Sequence, residues 1–452
     1  MIPFEDFLFY DSEKNSCPAD AVTILHLEGI PDFPRLEAAI RQAAKRSPIA
    51  SQFLQMAPDG TLSPGQNEIP LAIHRIQGLP TPQTFPNSAI PITREPGIRF
   101  WLYEDPESEK SQLWLQFHHV TSDALGSFIF LNEIFENYAG QIPERQALPS
   151  EKDLQKTCRP RCDVPLVLCA LKQIFSFLGR ALNPWQPKPL ELKEAQADGT
   201  SDFPEILPHL PILFQTLEPD ETQKILNAAR SLNVSLNDFV LTAAFIAAAR
   251  LQAQLPASSQ RKTVQIAVPV SFRRGPFLSM PLRSLASVVF LEETRRQILA
   301  PKPLFLQKIH HEMRQRLKNR WGELLFLELK WLAALRRHGN HRWGMEWFVQ
   351  RKTPLATLVL SNLGILFRGS PLPKTPEGFL LAGNLTLKKI QQASPRTTNT
   401  ALTIAMGTYA NRLHFGIHHD PKRLSDASTL QFQTFLMEEI NALCACSAEK
   451  IS

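Results

Sequence analysis

At 452 residues the chain can bury a large core and is long for one compact unit, so two subdomains are expected. A net charge of +6, with 43% hydrophobic and 20% charged residues, is ordinary for a globular protein and does not point to nucleic acid, for which no zinc-finger or RNA-binding signature is present. The six cysteines form no Cys-x-x-Cys pair, no run of about 20 apolar residues appears, and the first residues lack a secretory pattern; a reduced cytoplasmic chain without a membrane span is expected.

In chain order, Val22 to Leu27 reads as a strand. Phe33 to Arg46 reads as a helix with Leu36, Ala39, Ile40 and Ala43 on one face and Pro48 stopping it. Ile98 to Tyr103 and Gln112 to Phe117 read as a hairpin across a polar turn. The second strand runs into His118-His119-Val120-Thr121-Ser122-Asp123-Ala124-Leu125-Gly126. Beyond it, Ser127 to Tyr138 carries apolar residues at helical spacing. Residues 140–210 are rich in proline, with one helix, Leu166 to Leu182, and read as a crossover between lobes.

A second lobe then opens with a strand at Ile212 to Leu217 and helices at Asp220 to Leu232 and Leu236 to Leu251. Strands follow at Val264 to Val270 and Leu358 to Leu360, the latter ending in Ser361-Asn362-Leu363-Gly364. Leu402 to Tyr409 and Arg412 to Ile417 form a hairpin, and Leu424 to Leu443 a closing helix. The expected division is an N-terminal lobe over 1–143, a crossover over 144–209 and a C-terminal lobe over 210–452. Spacing alone gives an α/β protein with two subdomains.

Loops at strand ends are where α/β proteins keep their chemistry. A neutral imidazole there can take a proton from a hydroxyl or amine. A carboxylate four residues on, Asp123, can fix the ring's tautomer or brace the loop against a distant arginine. The plainer reading is a buried, hydrogen-bonded histidine pair. Arg273 and Arg274 end a strand, where a basic pair is either solvated or pairs with a carboxylate. Asn237 and Asp238 follow Ser235 at a helix start, where capping accounts for them. Ser361 and Asn362 either donate to a developing oxyanion or form an ordinary turn. His310-His311-Glu312 lacks a second histidine at zinc-site spacing, and His418-His419-Asp420 reads as a turn after a strand; both are taken as non-catalytic. There is no phosphate-binding GxxxxGK[ST] loop and no GxSxG elbow.

The stretch around His119 resembles the HHxxxDG signature of the chloramphenicol-acetyltransferase-like superfamily, which includes peptide-synthetase condensation domains and wax ester synthase/diacylglycerol acyltransferases. His119 matches the second histidine and Asp123 the aspartate. Ala124 stands where the signature has glycine, and Gly126 follows two residues later. Further along, SLNDFVLTAAFIAA is similar to the "ND" helix of wax ester synthases, VQIAVPVSFRR to the superfamily's "PVSLR" strand, and LTIAMGTYANRLHFGI to the C-terminal hairpin of the lipid acyltransferases. SNLG also occurs in those branches.

The resemblance implies a two-lobed fold of mixed sheets flanked by helices, with a tunnel between the lobes. It implies acyl transfer from a CoA or carrier-protein thioester to an alcohol or lipid, with His119 as general base and no covalent intermediate. Asp123 and His118 would be catalytic alongside His119, Arg273 rather than Arg274 would pair with Asp123, and Gly126, Asn237 and Asp238 would support the site; no metal or cofactor is implied. A free-standing amide-forming enzyme and a catalytically silent scaffold are the alternatives. The partners implied are the thioester donor, the acceptor and an acyl carrier protein. Residues 301–352 hold twelve Lys/Arg against four Glu, and Glu323 to Arg337, like Leu166 to Leu182, sets a wide apolar arc beside cations and a tryptophan. Such helices either lie in a bilayer surface or pack against the lobes.

Overall fold

The computed structural model describes residues 5, 7–9, 11–12, 17–56, 62–65, 69–80, 88–141, 147–149, 153, 188–194, 211–255, 262–325, 327–329 and 354–448. The expected helix Leu166 to Leu182 and the part of Glu323 to Arg337 beyond Leu329 lie outside these residues.

Strand β1 (Asp20–Glu28) is buried over most of its length and leads to helix α1 (Phe33–Arg46). Asp32 caps α1 by accepting from the Arg35 amide, and Leu36, Ala39, Ile40, Ala43 and Ala44 are its buried stripe. After the short strands β2 (Leu54–Met56) and β3 (Leu62–Pro64) come β4 (Ala72–Gln77), β5 (Ile98–Asp105), β6 (Lys110–His118) and helix α2 (Ala124–Ala139). Gly140, at φ 74°, ends α2 in the left-handed conformation.

Strand β7 (Lys188–Pro189) precedes β8 (Ile212–Leu217), α3 (Pro219–Ser231), α4 (Leu236–Gln254), β9 (Lys262–Ser271) and β10 (Ala286–Glu293). Helices α5 (Arg295–Ile298) and α6 (Lys302–Lys318) follow. The chain closes with β11 (Leu358–Ile365), β12 (Leu380–Ala382), β13 (Leu385–Ala393), β14 (Leu402–Tyr409), β15 (Arg412–His419) and α7 (Asp426–Ala448). The alanines of α4 are buried along nearly the whole helix, so α4 is the central helix of its lobe, with α7 packed against it.

Two mixed sheets result. One runs β12-β13-β1-β6-β5-β4, the other β10-β9-β11-β14-β15-β8 with β7 beside β9. Each has its own apolar core, one against α1 and α2, the other against α4 and α7.

Most expected elements appear with ends shifted by a few residues. Three features depart from expectation. The segment assigned to a C-terminal lobe over 210–452 sends β12 and β13 back into the N-terminal sheet, where β13 pairs antiparallel with β1. Leu380, Leu385, Leu387 and Ile390 thereby join the first core, and β1 is paired on both sides. Second, Ser361-Asn362-Leu363-Gly364 lies inside β11, at a register irregularity between Asn362 and Ile365 where Gly364 takes φ 69°. Third, His418 and His419 are buried within β15 rather than in a turn beyond it. His418 meets the Ser394 carbonyl just past β13, and His419 meets Asp426 at the start of the closing helix.

Candidate active site

Strand β6 carries the sequence into the space between the two sheets. At its end the His118 amide donates to the Gly97 carbonyl (2.9 Å) and the His119 amide to the Ala19 carbonyl (2.8 Å). Asp123 then caps α2: its backbone is extended and its Oδ1 accepts from the Gly126 amide at 2.7 Å. The loop from His119 to Asp123 is therefore five residues held at both ends.

The second sheet grips this loop from the other side. Arg273, at the end of β9, donates from Nη2 to Asp123 Oδ1 at 2.8 Å, and the Leu285 amide donates to Asp123 Oδ2 at 2.8 Å. The same guanidinium donates to the carbonyls of Met280 (2.6 Å), Leu282 (2.9 Å) and Arg283 (2.9 Å). Both charges are almost wholly buried, at 3% and 8% exposure. Leu282 and Arg283 are both left-handed, with φ 57° and 67°. Such conformations cost about 1–2 kcal/mol each in non-glycine residues. The arginine fork, together with the Arg283 amide bonded to the Thr121 carbonyl at 2.7 Å, holds them there. Arg274, by contrast, is 71% exposed and lies 3.7 Å from Glu323.

Asp123 is thus occupied by Arg273 and by two backbone amides. His119 Nδ1 instead meets the Ser284 hydroxyl at 3.2 Å. Ser284 is fully buried and sits one residue past the strained pair. Burial lowers the pKa of His119, with the Asp123 charge opposing, which favours the neutral imidazole. His118 is wholly buried; desolvation, opposed by Asp20, brings its pKa down to about 4. Its Nδ1 accepts from the Val120 amide at 3.3 Å. That geometry suits a support for the loop.

His119, Asp123, Ala124 and Leu125 line a cavity of about 160 Å³ between the sheets. The rest of its wall is mainly apolar, from β9, β10, β11, the helical residues Leu325 and Leu329, and Phe7 and Leu8 near the N-terminus. Ser361 and Asn362 line it as well, and Asn362 Oδ1 accepts from the Gly364 amide at 2.9 Å. Ala124 is the first residue of α2 and is not left-handed, so glycine is not required there. Gly126 is the position where a side chain has no room: an added Cβ would lie 2.5 Å from Arg273 Nη2 and 2.6 Å from the Leu282 carbonyl oxygen.

Asn237 and Asp238 stand apart from the motif loop. Ser235 caps α4, and Asp238 Oδ2 lies 2.7 Å from both Ser235 Oγ and His310 Nδ1. Their side of α4 faces a second cavity. His418 Nδ1 is 2.9 Å from the Ser394 carbonyl oxygen, and His419 Nε2 is 3.1 Å from Asp426. Phe7 and Leu8 at the first cavity, His310 at the second, and Ser284 against His119 were not expected.

No family description and no curated protein matches the sequence. Solved structures do. The first condensation domain of the calcium-dependent antibiotic synthetase, with a substrate analogue, superposes with TM-score 0.69 at 13% identity over 98% of this chain and 95% of that one. A variant starter condensation domain of rhizomide synthetase, in complex with C8-CoA, gives 0.68 at 13% identity over 98% and 94%. The SgcC5 protein of Streptomyces globisporus, with a naphthyl ethanediol and sucrose, gives 0.67 at 12% identity over 99% and 98%. The chain shares the two-lobed, chloramphenicol-acetyltransferase-like fold of these structures.

Proposed function

We propose that the protein is an acyltransferase that moves an acyl group from a thioester to a hydroxyl. The observation that carries this reading is His119, held by Ser284 at the wall of an apolar cavity between two lobes that Asp123 and Arg273 fasten together. With Nδ1–H donating to Ser284, Nε2 is the basic nitrogen. It takes the hydroxyl proton as the oxygen attacks the thioester carbonyl, and returns that proton to the departing thiolate. The products are an ester and a free thiol, with no bond formed to the enzyme. Ser361 and Asn362, on the same cavity, are the candidate donors to the oxyanion.

The apolar wall suits an alkyl chain, as in wax ester and lipid acyltransferases. The neighbours bound to C8-CoA and to a diol are consistent with such a donor and acceptor. Amide formation is the second reading, favoured by the fold's likeness to peptide-synthetase condensation domains. A thiol-release assay with acyl-CoA against a panel of alcohols and amines separates the two. Release with amines alone overturns the ester reading, and release with neither removes both. A peripheral membrane contact belongs to the same reading: Leu299 and Leu304 are 72% and 67% exposed, beside the exposed Arg295 and Arg296. Flotation with anionic vesicles at low salt tests it; no flotation removes the membrane contact and leaves a freely diffusing enzyme. Among the described residues no single helix is long and apolar enough to cross a membrane.

A further inference from the structure

The base and the hydroxyl that meets it come from different lobes. His119 follows β6 of the first sheet, and Ser284 lies in the connection from β9 to β10 of the second. His119 Nδ1 and Ser284 Oγ are 3.2 Å apart, and Ser284 is fully buried. Asp123 makes no such contact with the ring: its oxygens take the Gly126 amide, the Arg273 guanidinium and the Leu285 amide.

What holds Ser284 is the motif loop itself. The Arg283 amide donates to the Thr121 carbonyl at 2.7 Å, and the Asp123 amide donates back to the Arg283 carbonyl at 3.2 Å. Together they form a parallel bridge between Ser122 and Arg283. On the other side of Ser284, the Leu285 amide donates to Asp123 Oδ2 at 2.8 Å. The Leu282 amide adds a bond to the Gly126 carbonyl at 3.0 Å. Residues 282–285 therefore run beside the loop as a short added strand, with Ser284 gripped at both shoulders by the loop that carries its partner. Arg273 clamps the same segment through the carbonyls of Met280, Leu282 and Arg283. A hydroxyl so fixed holds a ring in one orientation.

We infer that Ser284 is the positioning residue of the base, and that the Asp123–Arg273 pair acts on His119 by fixing residues 282–285 so that the Ser284 hydroxyl accepts from Nδ1–H. This rests on the acyl-transfer reading and adds how the base is given its tautomer. With the proton on Nδ1, the lone pair is on Nε2. In the opposite tautomer the lone pair faces a buried serine, away from a substrate. When Nε2 takes the hydroxyl proton, the Nδ1–H bond to Oγ strengthens because the ring is then charged. The titratable and charged groups about the ring are Asp123, whose charge opposes the effect of burial, and His118; the charge of Arg273 is met by Asp123. All of them remain when only the serine hydroxyl is removed.

Ser284→Ala keeps every backbone bond of the segment and removes the hydroxyl alone. The experiment measures thiol release from acyl-CoA with an alcohol for the full chain, for Ser284→Ala, for Asp123→Asn and for the double variant. Ser284→Ala should lower kcat about tenfold or more, the rate equivalent of one lost hydrogen bond, with KM unchanged. The midpoint of the acid limb of kcat/KM should move to lower pH, because the lost bond favoured the charged ring. Asp123→Asn should cost much less in kcat once the hydroxyl is gone. An unchanged kcat or an unmoved acid limb overturns the positioning role. Equal losses from Asp123→Asn in both backgrounds overturn the route from the ion pair through Ser284. Nitrogen NMR of the labelled imidazole, with the His119 signals assigned by their absence in His119→Ala, reads the tautomer without turnover. The parent should show Nδ1 protonated and Ser284→Ala a mixture of the two forms. If no thioester is turned over yet the tautomer shifts in this way, the positioning role stands and the acyl-transfer reading falls. Identical ring signals in the two proteins overturn the positioning role.

Discussion

Asp123→Asn tests the brace between the lobes. The substitution keeps the side chain's shape and removes its charge. In the native site the carboxylate accepts from three donors, the Gly126 amide, the Arg273 guanidinium and the Leu285 amide, all within 2.8 Å. An asparagine must point its NH2 at one of them, which leaves two donors facing each other and a buried arginine without its counter-charge. Removing one partner of a buried ion pair costs about 3–5 kcal/mol, against a total stability of about 5–15 kcal/mol for a typical protein. The three carbonyls that also hold Arg273 favour the lower end of that range. Urea denaturation followed by tryptophan fluorescence measures the loss, with midpoint and slope compared together. Arg274→Ala, at an exposed site, is the control and should stay within about 0.5 kcal/mol of the parent. A loss below about 1 kcal/mol for Asp123→Asn would refute the argument that the pair fastens the loop.

Other predictions follow from the same geometry. His119→Ala should lower turnover by roughly two orders of magnitude or more while circular dichroism stays unchanged, and His118→Ala should be milder; equal losses at both would contradict a single base. The base must be neutral and burial lowers its pKa, so the acid limb of kcat/KM should fall below pH 6.5; a midpoint above 6.5 counts against it. His118, His414 and His419 are each brought down to about 4, chiefly by burial. The unfolded chain therefore binds more protons below about pH 6.5, and their contribution to stability should be lost progressively from there toward pH 4. A urea midpoint that is flat across that window would show that these rings are not buried neutral. Gly126→Ala should destabilise by about 1–3 kcal/mol because its Cβ meets Arg273 and the Leu282 carbonyl, whereas Ala124→Gly should change the urea midpoint and activity little.

The motif loop was legible because it is local. Strand, histidines, cap and helix follow one another within about 30 residues, and each obeys a periodicity or capping rule. Arg273 could be chosen over Arg274 only through resemblance, since nothing in two adjacent arginines tells which one turns inward. Ser284 was not legible: a serine 165 residues away meets His119 only because Arg273 folds the loop before β10 back on itself. The return of β12–β13 was hidden for a related reason. Neither strand was expected from the sequence, and pairing partners are set by which edge is still open. Asp238 reads as a capping residue and does stand in the first turn of α4, yet its link to His310 depends on how α6 crosses that turn.

That return sets a timetable for biosynthesis. Val22 pairs with Ala393, so 371 residues separate the two strands. At roughly 5–20 residues per second, a ribosome needs about 20–75 s to supply the partner of β1 after making it. Through that interval Val22-Thr23-Ile24-Leu25-His26-Leu27 can pair with β6 on one side and is an open apolar edge on the other. Such edges recruit other strands. The nascent chain is therefore most vulnerable to misassembly in its middle period, when the histidine loop is already made and the strand that seals its sheet is not. Synthesis halted between β6 and β13 should yield fragments that aggregate or occupy chaperones, whereas release after β13 should not.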